Sequence, residues 1–283
     1  MHPFRPGAAA RPEARVPMPS RRIFCAASAA VLAGCASVAG PSAGAARAEL
    51  SPEGKLRAAI NFGNPILAAR GPGGEPTGVS VDLAREAARR LDLPLELVTF
   101  MSAGNTVDAL RTGRVDLAFV AIDPVRGADM DYSAPYVIIE GAYLVRDTSP
   151  LHRNEEVDRA GTRIAVGRGS AYDLFLTREL KHASLVRVAT SPQVVDAFLA
   201  QNLEVAAGVR QQLEADARRV GGVRLLPGRF MVIEQAMGVP KGRRAAQAWL
   251  DAFIEEMKRS GFVAAALQGH GIEGAAVAPP RGP

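Results

Sequence analysis

The residues of this chain that could do chemistry favour holding an anion over breaking a bond. Gly169-Ser170 follows an apolar, strand-like run and precedes a helical one. At such a junction free backbone N–H groups and the helix dipole attract negative charge, and a hydroxyl can add a hydrogen bond. Ser170 also reads as an ordinary helix cap, and both roles can hold together. Arg126 carries a planar guanidinium that pairs bidentately with a carboxylate and stays charged at any accessible pH. Standing close to Pro124 and Gly127, it reads equally as an exposed loop arginine, and without further context that plainer reading is preferred. The four histidines, His2, His152, His182 and His270, show no metal-ligand spacing, and there is no G-x-S-x-G elbow, P-loop or H-E-x-x-H pair. Both cysteines, Cys25 and Cys35, lie near the N-terminus, so the body has no disulfide, thiol nucleophile or Cys-based metal site. No cofactor and no metal are expected.

The elements that would position these residues alternate. Apolar β-type runs fall at 56–62, 95–100, 115–120, 163–166, 185–189, 205–209 and 223–226, with amphipathic stretches between them. Residues 78–91 place Val81, Ala84, Ala88 and Leu91 on one helical face, and 105–110, 171–180 and 194–200 continue the rhythm. Short apolar strands divided by helices predict mostly parallel sheets covered on both faces, an α/β fold. The rhythm breaks near 136–145 and again near 230–239, before two closing helices. Those breaks predict crossings between two lobes, the first formed by residues 51–138 plus 237–273 and the second by 139–236, with 274–283 a loose tail.

Length and charge narrow the function. The 283 residues are 48% hydrophobic, enough for one large core or two modest ones. The formal net charge of +5 is confined to residues 1–48, which hold six arginines and one acid, whereas the remainder balances 28 basic against 28 acidic residues. A nucleic-acid partner is therefore disfavoured. The same segment reads as an export signal over residues 1–34, because Arg21-Arg22 precede an apolar stretch too short to span a bilayer. Ser20-Arg21-Arg22-Ile23-Phe24 resembles a twin-arginine signal, and Leu32-Ala33-Gly34-Cys35 resembles a lipobox, which would make Cys35 a lipidation site on a flexible tether, residues 35–50. Cleavage after Ala46-Arg47-Ala48 is the alternative, and Met18 is an alternative start.

Several motifs share one order and spacing: Gly78-Val79-Ser80-Val81-Asp82-Leu83, Ala109 through Ala118, Arg126 followed by Asp131-Tyr132-Ser133-Ala134-Pro135-Tyr136, Ala165 through Ser170, Gly238-Val239-Pro240-Lys241-Gly242, and Met257-Lys258-Arg259-Ser260-Gly261. Together they resemble the polar-amino-acid type of periplasmic solute-binding proteins, extracellular solute-binding family 3. The resemblance implies a two-lobed, periplasmic-binding-protein-like clamp with a two-stranded hinge. It implies that Arg126 grips a ligand carboxylate and that Gly169 and Ser170 meet the same carboxylate from the second lobe. Phe62 is the candidate aromatic lid, or plain core; Asn61 and Asn64 could read polar ligand atoms. Asp123 either faces the ligand or caps the Asp-Pro turn. Where the family has an aspartate for the ligand's ammonium, this chain has Val209 followed by Arg210, which puts standard α-amino-acid recognition in doubt. Arg210 would suit a second carboxylate, or faces water at a helix start. Asp123, Glu140 or Glu234 must replace the missing acid if the ligand carries an amine; the two glutamates could equally be structural partners of Lys or Arg.

The function implied is the extracytoplasmic, periplasmic component of an ABC importer that binds an amino acid or related small carboxylate. Its partners would be that solute and the importer's membrane subunits, with a membrane reached only through an N-terminal lipid, and the protein a monomer. Two alternatives share the fold: a cyclohexadienyl-dehydratase-like enzyme using Glu140, Glu234 or Asp123 as general acid, and a ligand sensor docking on a membrane receptor.

Overall fold

The computed structural model describes residues 43–281. The first half of the body runs α1 (Ala43–Leu50), β1 (Leu56–Asn61), the short strands β2 (Ala69–Arg70) and β3 (Pro76–Thr77), α2 (Val79–Arg90), β4 (Leu95–Phe100), α3 (Ala103–Arg111), β5 (Leu117–Ala121) and β6 (Met130–Tyr132). The chain then crosses on β7 (Val137–Arg146) into β8 (Arg163–Gly167), α4 (Ala171–Glu179), β9 (Ser184–Val188), α5 (Val194–Ala200), β10 (Val205–Val209), α6 (Arg210–Val220) and β11 (Val223–Leu225). It returns on β12 (Met231–Pro240) to α7 (Arg244–Arg259), α8 (Phe262–Gly269) and β13 (Ala276–Val277).

One sheet carries the order β4-β1-β5-β12-β7-β10-β8-β9. Strands β4, β1 and β5 are mutually parallel at one end, and β10, β8 and β9 at the other. Between them β7 and β12 run antiparallel. Each of these two strands serves both ends: Val137–Gly141 pairs β12 while Gly141–Leu144 pairs β10, and Gln235–Gly238 pairs β5 while Met231–Gln235 pairs β7. This is the two-lobed clamp, and the two breaks in the sequence rhythm are its crossing strands.

The apolar positions fill separate cores. Val79, Val81, Leu83, Ala84 and Ala87 of α2 join β1 and α7 in the largest cluster. Around β8 and β10, Ile164, Val166 and Val205 form one cluster, and Ala165, Ala206 and Phe198 form another on the opposite face, as alternation along a strand requires.

Both ends of the body depart from expectation. Residues 43–50 form α1 instead of part of a tether: Ala46 and Leu50 are buried, and Glu49 accepts the Ala246 N–H at 2.8 Å at the start of α7. Residues 276–277 pair with β7 and Ala278 is buried, so this part of the tail is fixed by backbone hydrogen bonds at the crossing strands. The signal, the twin-arginine motif and Cys35 lie outside the described residues.

Candidate functional site

After β5 the backbone turns at Asp123-Pro124, where Asp123 Oδ1 accepts the Val125 N–H at 2.8 Å, and enters a single 3-10 turn at Arg126. That turn directs the Arg126 side chain inward, leaving it 4% exposed. Its Nη1 donates to Ala121 O at 2.9 Å and its Nη2 to Gly169 O at 2.8 Å, the second bond reaching from the β5 side to the β8 side. No carboxylate among the described residues forms an ion pair with it. Burial pushes its pKa down, while Tyr132 and Asp123 pull the other way. A guanidinium remains protonated in proteins even so, and three of its five donors are left.

The facing wall is the turn between β8 and α4. Gly169 has φ +69, and a Cβ there would lie 3.1 Å from the Cα of Gly104 in α3, so glycine is required both by conformation and by close approach. Its N–H donates to Asp173 Oδ2 at 2.8 Å and the Ser170 N–H to Gly167 O at 3.0 Å. The Ser170 hydroxyl accepts the Asp173 N–H at 3.1 Å, an N-cap. The first-turn donors left without a backbone partner are those of Ala171 and Tyr172. Tyr172 is buried, which raises its pKa, while the neighbouring Ser191, Ser170 and Gly167 backbone pull it the other way.

Between these walls lies a cavity of about 30 Å³, room for about two waters. Asn61, Gly63, Asn64, Ala103, Ala121 and Arg126 line it from one side; Ser170, Ala171, Tyr172, Ser191 and Val209 from the other; Ile233 and Gln235 on β12 close the back. Among the described residues Arg126 is its only lining side chain charged at neutral pH, and no Asp, Glu, Lys or His contributes. Asn61 Oδ1 accepts the Gly63 N–H at 2.9 Å, whereas Asn64 Oδ1 is buried with no protein partner. A larger cavity of about 470 Å³ touches Arg146, Leu151, Arg159 and Glu204, but its charges are engaged: Glu204 with Arg163, and Arg146 with the carbonyls of Leu203 and Phe198. Among the described residues no cluster of His, Cys, Asp or Glu is arranged to hold a metal.

Arg126, Ser170, Asn61 and Asn64 thus meet in one cavity. The other candidates do not join them. Phe62 packs in the core with Arg70 over its ring at 4.9 Å, because alternation along the strand turns it away from Asn61. Asp123 caps its turn and pairs with Arg178 at 2.9 Å. Gly169 gives its carbonyl to Arg126 and its N–H to Asp173, so it offers no free donor. Arg210 and Glu140 pair with each other at 2.9 Å, brought together by the Val209–Gly141 register, and Arg229 adds a second cation at 2.7 Å. Those two arginines hold the Glu140 carboxyl below the ordinary carboxylate range. Glu234 is exposed, on the face of β12 opposite Ile233 and Gln235.

Gln235, Tyr172 and Ser191 are lining residues that the sequence reading did not single out for the site. Ser191 opens the 3-10 turn Ser191–Gln193 that leads into α5, and Thr190 caps that turn, its N–H donating to Gln193 Oε1 at 3.2 Å. The apolar break at 230–239 marked Gln235 only as part of a crossing strand.

Known proteins share this architecture. The amino-acid-binding protein AabA of Dichelobacter nodosus is 26% identical over 198 residues, 67% of this chain and 77% of that protein. A solute receptor for L-cysteine of Neisseria gonorrhoeae superposes with a TM-score of 0.69 at 22% identity, over 79% of this chain and 92% of that one. An ancestral amino-acid-binding protein, AncCDT-1, a precursor of cyclohexadienyl dehydratase, superposes with a TM-score of 0.67 at 19% identity, over 79% of this chain and 98% of that one. A family model matches residues 56–271, which contain both walls of the cavity and both crossing strands. The chain belongs to the bacterial extracellular solute-binding proteins, family 3.

Proposed function

We propose that this chain is the extracytoplasmic solute-binding component of an ABC importer, closing two lobes on an amino acid or related small carboxylate. One observation carries the reading: a buried guanidinium with no carboxylate of its own faces a cavity between the two ends of the sheet. A desolvated cation without a counter-ion is stabilised by an anionic ligand. Arg126 takes the carboxylate with its remaining donors, helped by the Ala171 and Tyr172 N–H groups and the Ser170 hydroxyl; Asn61 and Asn64 read the rest of the ligand. The lobes are residues 51–138 plus 237–273, and 139–236. Export by the N-terminal segment, a lipid on Cys35, a periplasmic location and a monomeric state complete the proposal.

The dehydratase-like alternative requires a protonated carboxyl beside the substrate. Among the described residues no carboxylate lines the cavity, Asp123 and Glu140 are ion-paired, and Glu234 is exposed, which favours binding over turnover. A thermal-shift screen of amino acids, 2-hydroxy acids, 2-oxo acids and dicarboxylates on the folded body tests the proposal. A true ligand at a hundredfold excess over its Kd stabilises by about 2.7 kcal/mol. A screen without a shift contradicts the reading, and turnover of prephenate or arogenate replaces it with the enzyme.

A further inference from the structure

We infer, resting on the reading of this cavity as the ligand site, that the ligand's second polar group is a neutral hydroxyl: the chain selects a short 2-hydroxy carboxylate over the amino acid of the same size. The charge of the lining carries the argument. Arg126 supplies one positive charge, and among the described residues no lining side chain supplies a negative one. A monocarboxylate brings the closed cavity to neutrality. A zwitterion adds a second cation to the same desolvated space, and a buried ammonium needs a carboxylate or several carbonyls around it.

The acids near enough to serve are committed elsewhere. Asp173 accepts the Gly169 N–H at 2.8 Å and pairs with Arg187 at 2.8 Å. Asp123 is held by Arg178 and its own turn, and Glu140 by two arginines. Glu234 stands on the solvent side of β12. Where β10 ends against the cavity, the side chain is the apolar Val209. A hydroxyl asks for much less, one acceptor for its proton, and Asn64 Oδ1 is a buried acceptor with no protein partner. A cavity of about 30 Å³ holds about two waters, so the lobes must part to admit any acid, and a short one asks the smallest opening.

Calorimetric titration of the folded chain with three size-matched pairs tests this: L-lactate and L-alanine, glycolate and glycine, 2-hydroxybutyrate and 2-aminobutyrate. Each hydroxy acid should bind at least about a hundredfold more tightly than its amino acid, the loss expected for a buried unpaired charge. Equal or tighter binding of the amino acids overturns the inference and leaves the carboxylate site standing. No binding by any of the six overturns the site itself, and the inference with it. Gln235→Glu, nearly isosteric, places a carboxylate in the lining and should reverse the order in at least one pair; Val209→Asp does the same from the opposite wall. A folded variant that keeps the original order overturns the charge argument.

Discussion

An arginine buried on carbonyl oxygens alone keeps its charge but gains little to offset desolvation, whereas a carboxylate laid against it gains two charge-assisted hydrogen bonds. The proposed role of Arg126 as a receptor for an anion rests on that asymmetry. Its bond to the Gly169 carbonyl needs the lobes to approach within van der Waals distance, and Gly104 and Gly169 provide the approach. Gly169→Ala forces a side chain onto φ +69 and a Cβ to 3.1 Å from Gly104. The left-handed conformation costs roughly 1–2 kcal/mol with or without ligand and should lower the unliganded Tm, whereas the Cβ pressed on Gly104 across the gap opposes closure, so ligand affinity measured by calorimetry should also fall. Gly104→Ala is the control: its Cβ would meet its nearest atoms at 3.7 and 3.8 Å, and affinity should hold.

Among the elements, α2 and α7 are tied by charge as well as by apolar packing. Arg89 and Arg90 both donate to Glu86, and Arg90 reaches Glu256 on α7 at 2.6 Å. Hydrogen bonds from Arg89 first, then Arg90, hold the Glu86 carboxyl down at about 2, against an ordinary value of 4.5. A carboxylate with a depressed folded-state pKa stabilises fully above its unfolded value and loses that contribution as pH falls through the folded one. The stability gap between wild type and Glu86→Gln should therefore be constant above 4.5, narrow on the way to about 2, and close below it, as denaturant melts across that range would show. A gap that widens on acidification contradicts the assignment.

Helix α1 makes a second prediction at this scale. Cleavage after Ala48 would sever it, discarding the buried Ala46 and the bond from Arg47 Nη1 to Leu91 O. A chain beginning at residue 49 should be less stable than one beginning at 43 by about 1–2 kcal/mol, a drop in Tm of roughly 2–8 °C. Equal melting temperatures would show that α1 adds nothing. The helix was hidden in the sequence because the stretch Ala36–Ala48 that it overlaps is rich in Ala, Gly and Ser, the character of a linker; what fixes it is a tertiary contact with α7, some two hundred residues away. Helix α6 begins at Arg210, where the sequence offered a helix start, but its extent had no apolar stripe to mark it, since only Leu213 is buried on it. The parallel strands and the helices between them were legible, because their apolar runs and periodicity are local.

At the scale of the whole molecule, β7 and β12 bring together side chains from turns far apart in sequence, and this decides which candidates form a site. Arg126, Ser170, Asn61 and Asn64 could be read from residue type, turn position and motif. Arg210 and Glu140 could not be recognised as partners without the register of β10 on β7, nor Gln235 as a wall residue without knowing which face of β12 looks inward. Besides Arg126, the pair of Asp123 and Arg178 joins the two sides.

The most direct test of this account is a calorimetric titration of Arg126→Met against wild type with the carboxylate that gives the largest thermal shift, together with the melting temperatures of both unliganded proteins. Methionine keeps much of the volume and removes the charge. The account predicts at least about a hundredfold loss of affinity with the unliganded Tm within a few degrees of wild type. Affinity that survives the substitution would contradict it.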